Sequence, residues 1–253
     1  MNEELMGYRV CSEGRRACVA RMVEAIDQNG HLWAACLNPH SWVVASERPD
    51  FAAALKAADL VVPDGIGVVL ASRWRGGRIR ERVTGFDLFA GLHDALAARG
   101  GGRVFFLGST PEVLAEISAR MQRDWPALDV AGTYSPPFAT RFSASDNAAM
   151  VAAVNAAKPD VLWVGMTAPK QEEWLHAMWP QLDVRVAGAI GAVFDFYAGR
   201  IRRSHPLFQR LGLEWLPRLL QEPRRLWRRT FVSAPRFLWA AARNRVSTPP
   251  RSP

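Results

Sequence analysis

Continuous apolar runs of strand length, each followed by a helix-like segment, constrain the fold of this chain more than any other feature. The runs predict buried strands at Leu32–Asn38, Leu60–Pro63, Val104–Gly108, Leu128–Tyr134, Val161–Thr167 and Val184–Ile190. Helical patterns cover residues 14–28, 86–98, 110–125, 145–157 and 169–179. Because strands buried on both faces belong to sheets covered by helices, the alternation predicts an α/β fold: a Rossmann-like, mostly parallel sheet with helices on both faces.

Net charge divides the chain in two. After Gly199 the sequence holds 13 Arg, no Lys and two acidic residues, a net charge of +11, so the first 199 residues carry −3 of the total of +8. Four prolines also separate short helix-like pieces there. We therefore predict an α/β domain over 1–199 and a basic, helical C-terminal appendage over 200–253.

Several kinds of protein are disfavoured by what the sequence lacks. Its cysteines, Cys11, Cys18 and Cys36, are odd in number and have no CxxC spacing, which argues against a disulfide framework or a zinc site. No signal-peptide core is found, and no apolar run approaches the ~20 residues of a membrane span. Paired His motifs, GxSxG, DxD and Walker sequences do not occur, so neither a metal-anchored diphosphate nor a hydrolase triad is expected.

Residues that follow the predicted strands are the candidates for a site, since ligands of such sheets bind at the carboxyl ends of the strands. Asp64 follows the run LVVP and precedes Gly65, so its carboxylate suits a general base or a ribose-binding group; capping of the next helix is an equal alternative. Gly108 and Ser109 precede a strong helix start at Thr110, where amides could hold a phosphate, or where the chain simply turns.

Three other segments carry polar candidates. Lys170 and Gln171 begin a helix directly after a strand, where the helix dipole disfavours lysine, so a sugar hydroxyl or a diphosphate is one explanation and solvated surface charge the other. Asp195 lies between two phenylalanines in a glycine-punctuated segment, and a structural role is as well supported as a functional one. Arg82, just before a helix, suits a diphosphate clamp.

The appendage has the composition of a helix that lies on a membrane surface. On a helical wheel its arginines share an arc of about 140°, opposite a largely apolar side. The arginines are Arg224, Arg225, Arg228 and Arg229, and the opposite side holds Leu226, Trp227, Thr230 and Phe231. Such a pattern favours an anionic membrane surface. The alternatives are a helix packed on the body, a subunit interface in a homo-oligomer, and an RNA-binding tail.

Seven motifs, in this order along the chain, resemble the WecG/TagA/CpsF family of bacterial glycosyltransferases (glycosyltransferase family 26). They are LNPHS (37–41), ADLVVPDGIGV (58–68), ERVTGFDL (81–88), FLGSTPEV (106–113), VGMTAPKQEEW (164–174), GAVFDFYAG (191–199) and GLEWLPRLLQEPRRLWRR (212–229). Together they extend over most of the chain, and seven motifs in register are a specific signal.

The resemblance implies transfer of a hexose or N-acetylhexosamine from a UDP-sugar to a polyprenyl-diphosphate-linked sugar, with inversion and without a metal or other cofactor, in cell-surface polysaccharide synthesis. It implies Asp64 as general base, Asn38, Arg82 and Gln171 as polar residues of the site, and an appendage that brings arginines over the site. Where the family commonly has Thr, two residues before the Asn, this chain has Cys36, which removes a hydroxyl from the pocket.

Inverting transfer needs a base for the acceptor hydroxyl and positive charge for the departing diphosphate. Without a DxD motif we expect arginines to supply that charge, namely Arg82 together with Arg218, Arg225 and Arg228 of the appendage. The expected location is the cytoplasmic face of the cell membrane, with no nucleic acid partner. A non-catalytic subunit that binds a nucleotide sugar and recruits a partner enzyme to the membrane is the alternative.

Overall fold

The computed structural model describes residues 1–200 and 227–243 of the chain. The strands are β1 (Asn2–Leu5), β2 (Tyr8–Cys11), β3 (Leu32–Leu37), β4 (Leu60–Pro63), β5 (Gly102–Gly108), β6 (Leu128–Tyr134), β7 (Val161–Gly165) and β8 (Val186–Ala189). The helices are α1 (Gly14–Asp27), α2 (Pro39–Glu47), α3 (Pro49–Ala57), α4 (Ile66–Trp74), α5 (Gly85–Ala98), α6 (Pro111–Asp124), α7 (Ala144–Ala157), α8 (Lys170–Met178), α9 (Val193–Tyr197) and α10 (Ala234–Arg243). A 3₁₀ turn at Trp179–Gln181 follows α8, and a π-helical stretch at Arg228–Ser233 leads into α10.

In the described part of the chain, eight strands form one sheet in the order β1-β2-β4-β3-β8-β7-β5-β6. Only β1 and β2 pair antiparallel; every other pairing in this sheet is parallel. The predicted α/β class with a mostly parallel sheet is therefore confirmed. The β1–β2 hairpin was not predicted, because both strands have only four residues and β1 contains two glutamates instead of an apolar run.

Side chains of the central strands alternate between two hydrophobic clusters, one on each face of the sheet. In β7, Val161 and Trp163 belong to one cluster, whereas Leu162 and Val164 belong to the other. Helices α1, α5, α6 and α9 cover the first face, and α2, α3, α4, α7, α8 and α10 cover the second. Both faces of the strands are therefore buried, which explains why the sequence shows continuous apolar runs.

Two helices on the second face, α2 and α3, were not indicated by the sequence pattern. Helix α2 begins at Pro39 and is only weakly amphipathic, so it lacks the 3.6-residue period on which helix prediction depends. Its N-cap is Asn38, which ends the preceding strand one residue earlier than predicted. The predicted start of α6 is confirmed, since Thr110 is its N-cap and Pro111 its first residue.

The C-terminal segment 227–243 packs against α2 and α4 of the body. Phe237 and Ala241 are fully buried there, and the Phe237 ring meets Trp42 edge-on, with 5.6 Å between the ring centroids. Arg236 forms an ion pair with Glu47 at 2.7 Å. Of the alternatives that the sequence left open, the described segment thus shows a helix packed on the body. The domain boundary near residue 200 stays a prediction.

The helical wheel drawn for the appendage does not hold over the described residues. Residues 228–233 form i→i+5 hydrogen bonds instead of the α-helical i→i+4 bonds, so the 100° spacing of side chains is lost. Three residues of that prediction, Arg224, Arg225 and Leu226, lie outside the described residues. None of the helices that the structure describes is both long enough and apolar enough to span a membrane.

Candidate active site

A cavity of about 730 Å³ opens at the carboxyl ends of the parallel strands. Its walls come from the segments that follow β3, β4, β5, β6, β7 and β8. This volume falls within the roughly 300–1,000 Å³ that is typical of small-molecule sites. The position agrees with the rule that open α/β sheets bind their ligands outside the carboxyl ends of the strands.

Four long helices direct their N-termini toward this cavity. Their N-cap residues, Asn38 of α2, Thr84 of α5, Thr110 of α6 and Pro169 of α8, all line it. Backbone N–H groups at a helix N-terminus carry a partial positive charge and bind anions. The arrangement therefore favours a ligand with concentrated negative charge, such as a diphosphate.

The structure brings together most of the residues predicted for a site. The cavity is lined by Cys36, Asn38, Asp64, Ser109, Lys170, Gln171 and Asp195. The predicted residues Gly65, Arg82, Gly108 and Arg228 are described but do not line it. Arg218 and Arg225 lie outside the described residues. Lining the cavity places these residues near a ligand and assigns no role to any of them.

Asn38 and Asp64 stand at the ends of the neighbouring strands β3 and β4. The Oδ1 atom of Asn38 accepts hydrogen bonds from the backbone N–H groups of His40 and Ser41, at 3.0 and 2.9 Å, so this side chain caps α2. The N-cap of α4 is Gly65, with φ +120°, and not Asp64. Asp64 therefore does not occupy the N-cap position, and it lines the cavity, while its role stays a prediction.

Cys36, near the end of β3, also lines the cavity. Burial raises the pKa of the Cys36 thiol well above its ordinary value, and the negative charges of Asp64, Glu172 and Asp87 raise it further. The thiol is therefore protonated at neutral pH. It is a weak hydrogen-bond donor in the position where relatives are expected to have a hydroxyl.

Gly108 and Ser109 form the turn between β5 and α6. Gly108 has φ +119°, and a Cβ added there would lie 2.6 Å from the carbonyl oxygen of Gly165 in the adjacent strand. The close approach of the two backbones therefore requires glycine at position 108. Ser109 lines the cavity, and its carbonyl accepts a hydrogen bond of 2.8 Å from the Ser135 hydroxyl.

Lys170 connects α8 to the loop that follows β6. Its Nζ atom donates to the carbonyl of Ala139 at 2.8 Å and lies 4.7 Å from the centre of the Phe142 ring. Partial burial lowers the pKa of Lys170. These contacts explain a lysine at a helix N-terminus, and Phe138, on the same loop, is fully exposed at the cavity.

Gln171 and Glu172 form a buried polar pair in the first turn of α8. The amide Nε2 of Gln171 donates to Oε1 of Glu172 at 2.9 Å, and the two residues are 4% and 2% exposed. Burial raises the pKa of Glu172 to about 7, and nearby Glu173 adds to the rise, whereas Gln171 and a backbone N–H oppose it. Sequence reasoning placed Glu172 in this turn but did not make it a site residue, because burial of a side chain cannot be read from a motif.

Arg82 lies near the end of β4 without lining the cavity. The backbone N–H of the next residue, Val83, donates to the carbonyl of Pro63 at 3.0 Å. Arg82 is half-buried in this segment, beside the strand that ends before Asp64. This geometry therefore does not place Arg82 at the cavity wall. Its role as a diphosphate clamp stays a prediction.

The C-terminal segment contributes Arg229 to the cavity wall, where the sequence favoured Arg228. Arg228 is exposed and does not line the cavity. The segment is held close to the cavity by a 2.9 Å hydrogen bond between Nδ1 of His40 and the hydroxyl of buried Ser233. Burial and the charges of Arg229 and Arg228 lower the pKa of His40 to about 4, so its ring is neutral and can accept this bond.

Among the residues that the structure describes, no group of three or more His, Cys, Asp and Glu side chains is arranged to hold a metal ion. The charged groups at the cavity wall are the carboxyls of Asp64, Glu172 and Asp195 and the cations of Lys170 and Arg229. The cavity therefore combines possible proton acceptors with positive charge from side chains and helix N-termini.

A family model described as the glycosyl transferase WecG/TagA/CpsF family matches residues 3–251. The chain belongs to this family. The resemblance found in the sequence motifs is thereby confirmed, and the cavity lies where several of those motifs, each at the end of a parallel strand, converge.

Two curated relatives cover most of the chain. A Bacillus spizizenii (strain ATCC 23059 / NRRL B-14472 / W23) protein is 35% identical over 226 residues, which are 89% of this chain and 84% of that protein. A Bacillus subtilis (strain 168) protein is 29% identical over 212 residues, 84% of this chain and 79% of that protein. Both carry the name N-acetylglucosaminyldiphosphoundecaprenol N-acetyl-beta-D-mannosaminyltransferase.

Proposed function

We propose that this glycosyltransferase moves a hexose or N-acetylhexosamine from a UDP-sugar to a polyprenyl-diphosphate-linked sugar, with inversion and without a metal ion. The observation that carries the proposal is the cavity in which Asp64 lies among four helix N-termini, with Arg229 at its wall. The names of the two relatives support the class of acceptor and favour N-acetylmannosamine as the transferred sugar.

In this proposal the Asp64 carboxylate is the general base. It removes the proton from the acceptor hydroxyl while the hydroxyl oxygen attacks the anomeric carbon of the donor sugar. The new glycosidic bond forms on the face opposite the bond to the β-phosphate, which breaks with its electron pair and releases UDP. A single displacement of this kind inverts the configuration at the anomeric carbon.

The departing diphosphate needs positive charge, which the chain supplies in two forms. The N-termini of α6 and α8 present backbone N–H groups at the cavity, and Lys170 and Arg229 line it. Arginines of the appendage beyond the described residues, Arg218 and Arg225, remain proposed contributors. The departing charge is thus stabilised by groups that are fixed in advance by the fold.

The test of this function is transfer by the purified protein alone, from UDP-N-acetylmannosamine to polyprenyl-diphosphate N-acetylglucosamine. Asp64→Asn removes the base with little change in shape, and we expect a fall in kcat of about 10²- to 10⁴-fold. Asp50→Asn, on the exposed surface of α3, is the matched control and keeps full activity. Near-normal transfer by Asp64→Asn would refute the assignment of the base.

Two additions to the same assay separate the remaining parts of the proposal. The rate in the presence of EDTA should equal the rate without it, and a strong loss would show that a metal is needed. If the wild-type protein binds UDP-sugar but transfers nothing, the chain is instead a nucleotide-sugar-binding subunit. Inversion is read from the configuration of the new glycosidic bond in the product.

We also propose that the C-terminal segment holds the enzyme on an anionic membrane surface. Trp227, Phe231 and Trp239 are 58%, 50% and 63% exposed, although the same segment buries Phe237 in the body. Exposed aromatic rings beside arginines are typical of proteins that bind lipid headgroups. Arg228 and Arg236 are exposed in this segment too.

Vesicle flotation tests the membrane proposal. Binding should require phosphatidylglycerol in the vesicles, weaken with salt, and fall when Phe231 and Trp239 are both replaced by Ser. Equal binding to neutral and anionic vesicles would contradict it. Copurification with nucleic acid and a steep salt dependence of that binding would favour the RNA-binding alternative instead.

A further inference from the structure

Two buried side-chain oxygens of residues that line the cavity have no hydrogen-bond partner among the residues that the structure describes. Oε1 of Glu172 accepts from Gln171, but Oε2 of Glu172 and Oε1 of Gln171 accept nothing from the residues that the structure describes. Both side chains are more than nine-tenths buried, and both residues line the cavity. A buried polar atom without a partner destabilises the folded protein, so native proteins keep few of them without a reason.

The Gln171–Glu172 pair lines the same cavity as Asp64, the candidate base, so a bound ligand could supply the missing hydrogen-bond partners. Asp64, Cys36 and Glu172 all line the cavity, and the charges of Asp64 and Glu172 both act on the Cys36 thiol. The Gln171 amide also lies close to Gly191, at the turn between β8 and α9. A Cβ added to Gly191 would be 3.5 Å from this amide. A ligand that contacts Asp64 therefore occupies the same cavity as Gln171 and Glu172.

The chemistry of the two oxygens selects the kind of ligand group. When Glu172 is ionised both oxygens are hydrogen-bond acceptors, and its carboxylate then repels the acceptor oxygens of a diphosphate. Hydroxyl groups of a pyranose ring and the N–H of an acetamido group are donors that match them. A site built to bind such a donor discriminates strongly against an analogue without it, because the buried acceptor is then left unpaired.

We propose that Glu172, with Gln171 beside it, accepts hydrogen bonds from the ring hydroxyls or the acetamido N–H of an N-acetylhexosamine and so determines sugar specificity. This inference rests on the proposed function. Such a ring reaches the cavity from either of two sources, the UDP-linked donor or the polyprenyl-diphosphate-linked acceptor, and the experiment has one arm for each.

The experiment compares three variants of the full-length protein with the wild type. Glu172→Met removes both carboxyl oxygens at similar length, and Glu172→Gln keeps one acceptor. Glu173→Gln is the matched control, because Glu173 lies next along α8, pairs with Arg48 at 3.0 Å and does not line the cavity. Calorimetry gives the Kd of UDP and of UDP-N-acetylmannosamine, and transfer assays give the KM of polyprenyl-diphosphate N-acetylglucosamine.

For Glu172→Met we expect an unchanged Kd for UDP and a loss of about 10- to 100-fold in one of the two sugar arms. Glu172→Gln should show a smaller loss in the same arm, and Glu173→Gln none. A purely structural role would weaken UDP and sugar binding together, and that result would overturn the proposal, as would no loss in either arm.

Two further results keep the outcome clear. If Glu172→Met does not fold, as judged by circular dichroism, Glu172→Gln decides alone, and unchanged sugar binding by it overturns the proposal. If the wild-type protein neither binds UDP-N-acetylmannosamine nor transfers sugar, the proposed function fails first, before any variant is compared.

Discussion

Replacement of Glu172 by Gln should change how the stability of the protein depends on pH. Burial raises the pKa of Glu172 from its ordinary 4.5 to about 7 in the folded state. Between these values the unfolded chain has released a proton that the folded chain still holds, so the free energy of unfolding falls as the pH rises. A difference of that size corresponds to about 3 kcal/mol, and above pH 7 this group adds no further loss.

Urea unfolding of the wild type, Glu172→Gln and Glu173→Gln at pH 4.5 and at pH 8 measures this effect. The glutamine variant cannot ionise, so its stability relative to the wild type should increase by about 3 kcal/mol from the lower pH to the higher. Contributions from titrating groups that do not interact with Glu172 cancel in that comparison. If the free energies of unfolding of this variant and the wild type differ by the same amount at both pH values, the raised pKa of Glu172 is refuted.

Two further substitutions test the packing around the site. Phe237→Ala should weaken docking of the C-terminal segment by about 3–5 kcal/mol, seen as faster hydrogen exchange in 227–243, whereas Trp239→Ala on the exposed side of the same helix should not. Gly108→Ala combines a positive φ with a backbone contact of 2.6 Å, while Gly100→Ala has a positive φ and no atom within 4 Å. We therefore expect Gly108→Ala to lower Tm clearly more than Gly100→Ala, and equal changes would refute the close-approach argument.

Much of the candidate site followed from the sequence because it depends on strand ends. The apolar runs located β4, β5 and β7 to within about two residues, as is usual for element boundaries. In a parallel sheet the carboxyl ends of the strands lie at one edge, so Asp64, Ser109 and Gln171 were expected together, and the structure lines one cavity with all three. The hairpin of β1 and β2 escaped prediction because four-residue strands carry too little periodicity.

What the sequence by itself determined is a set of local choices: where most of the strands and longer helices lie, where α6 begins, and which polar residues follow a strand. These depend on the side-chain periods of 2 and 3.6 residues and on capping, all of which act within a few positions. Only the tertiary structure decided which arginine of the C-terminal segment reaches the cavity and that Glu172 is buried beside Gln171. The orientation of Arg229 depends on a π-helical stretch docked on α2, and the pKa of Glu172 depends on how many atoms surround its carboxyl. Neither property is encoded in the residues adjacent to Arg229 or Glu172 along the chain.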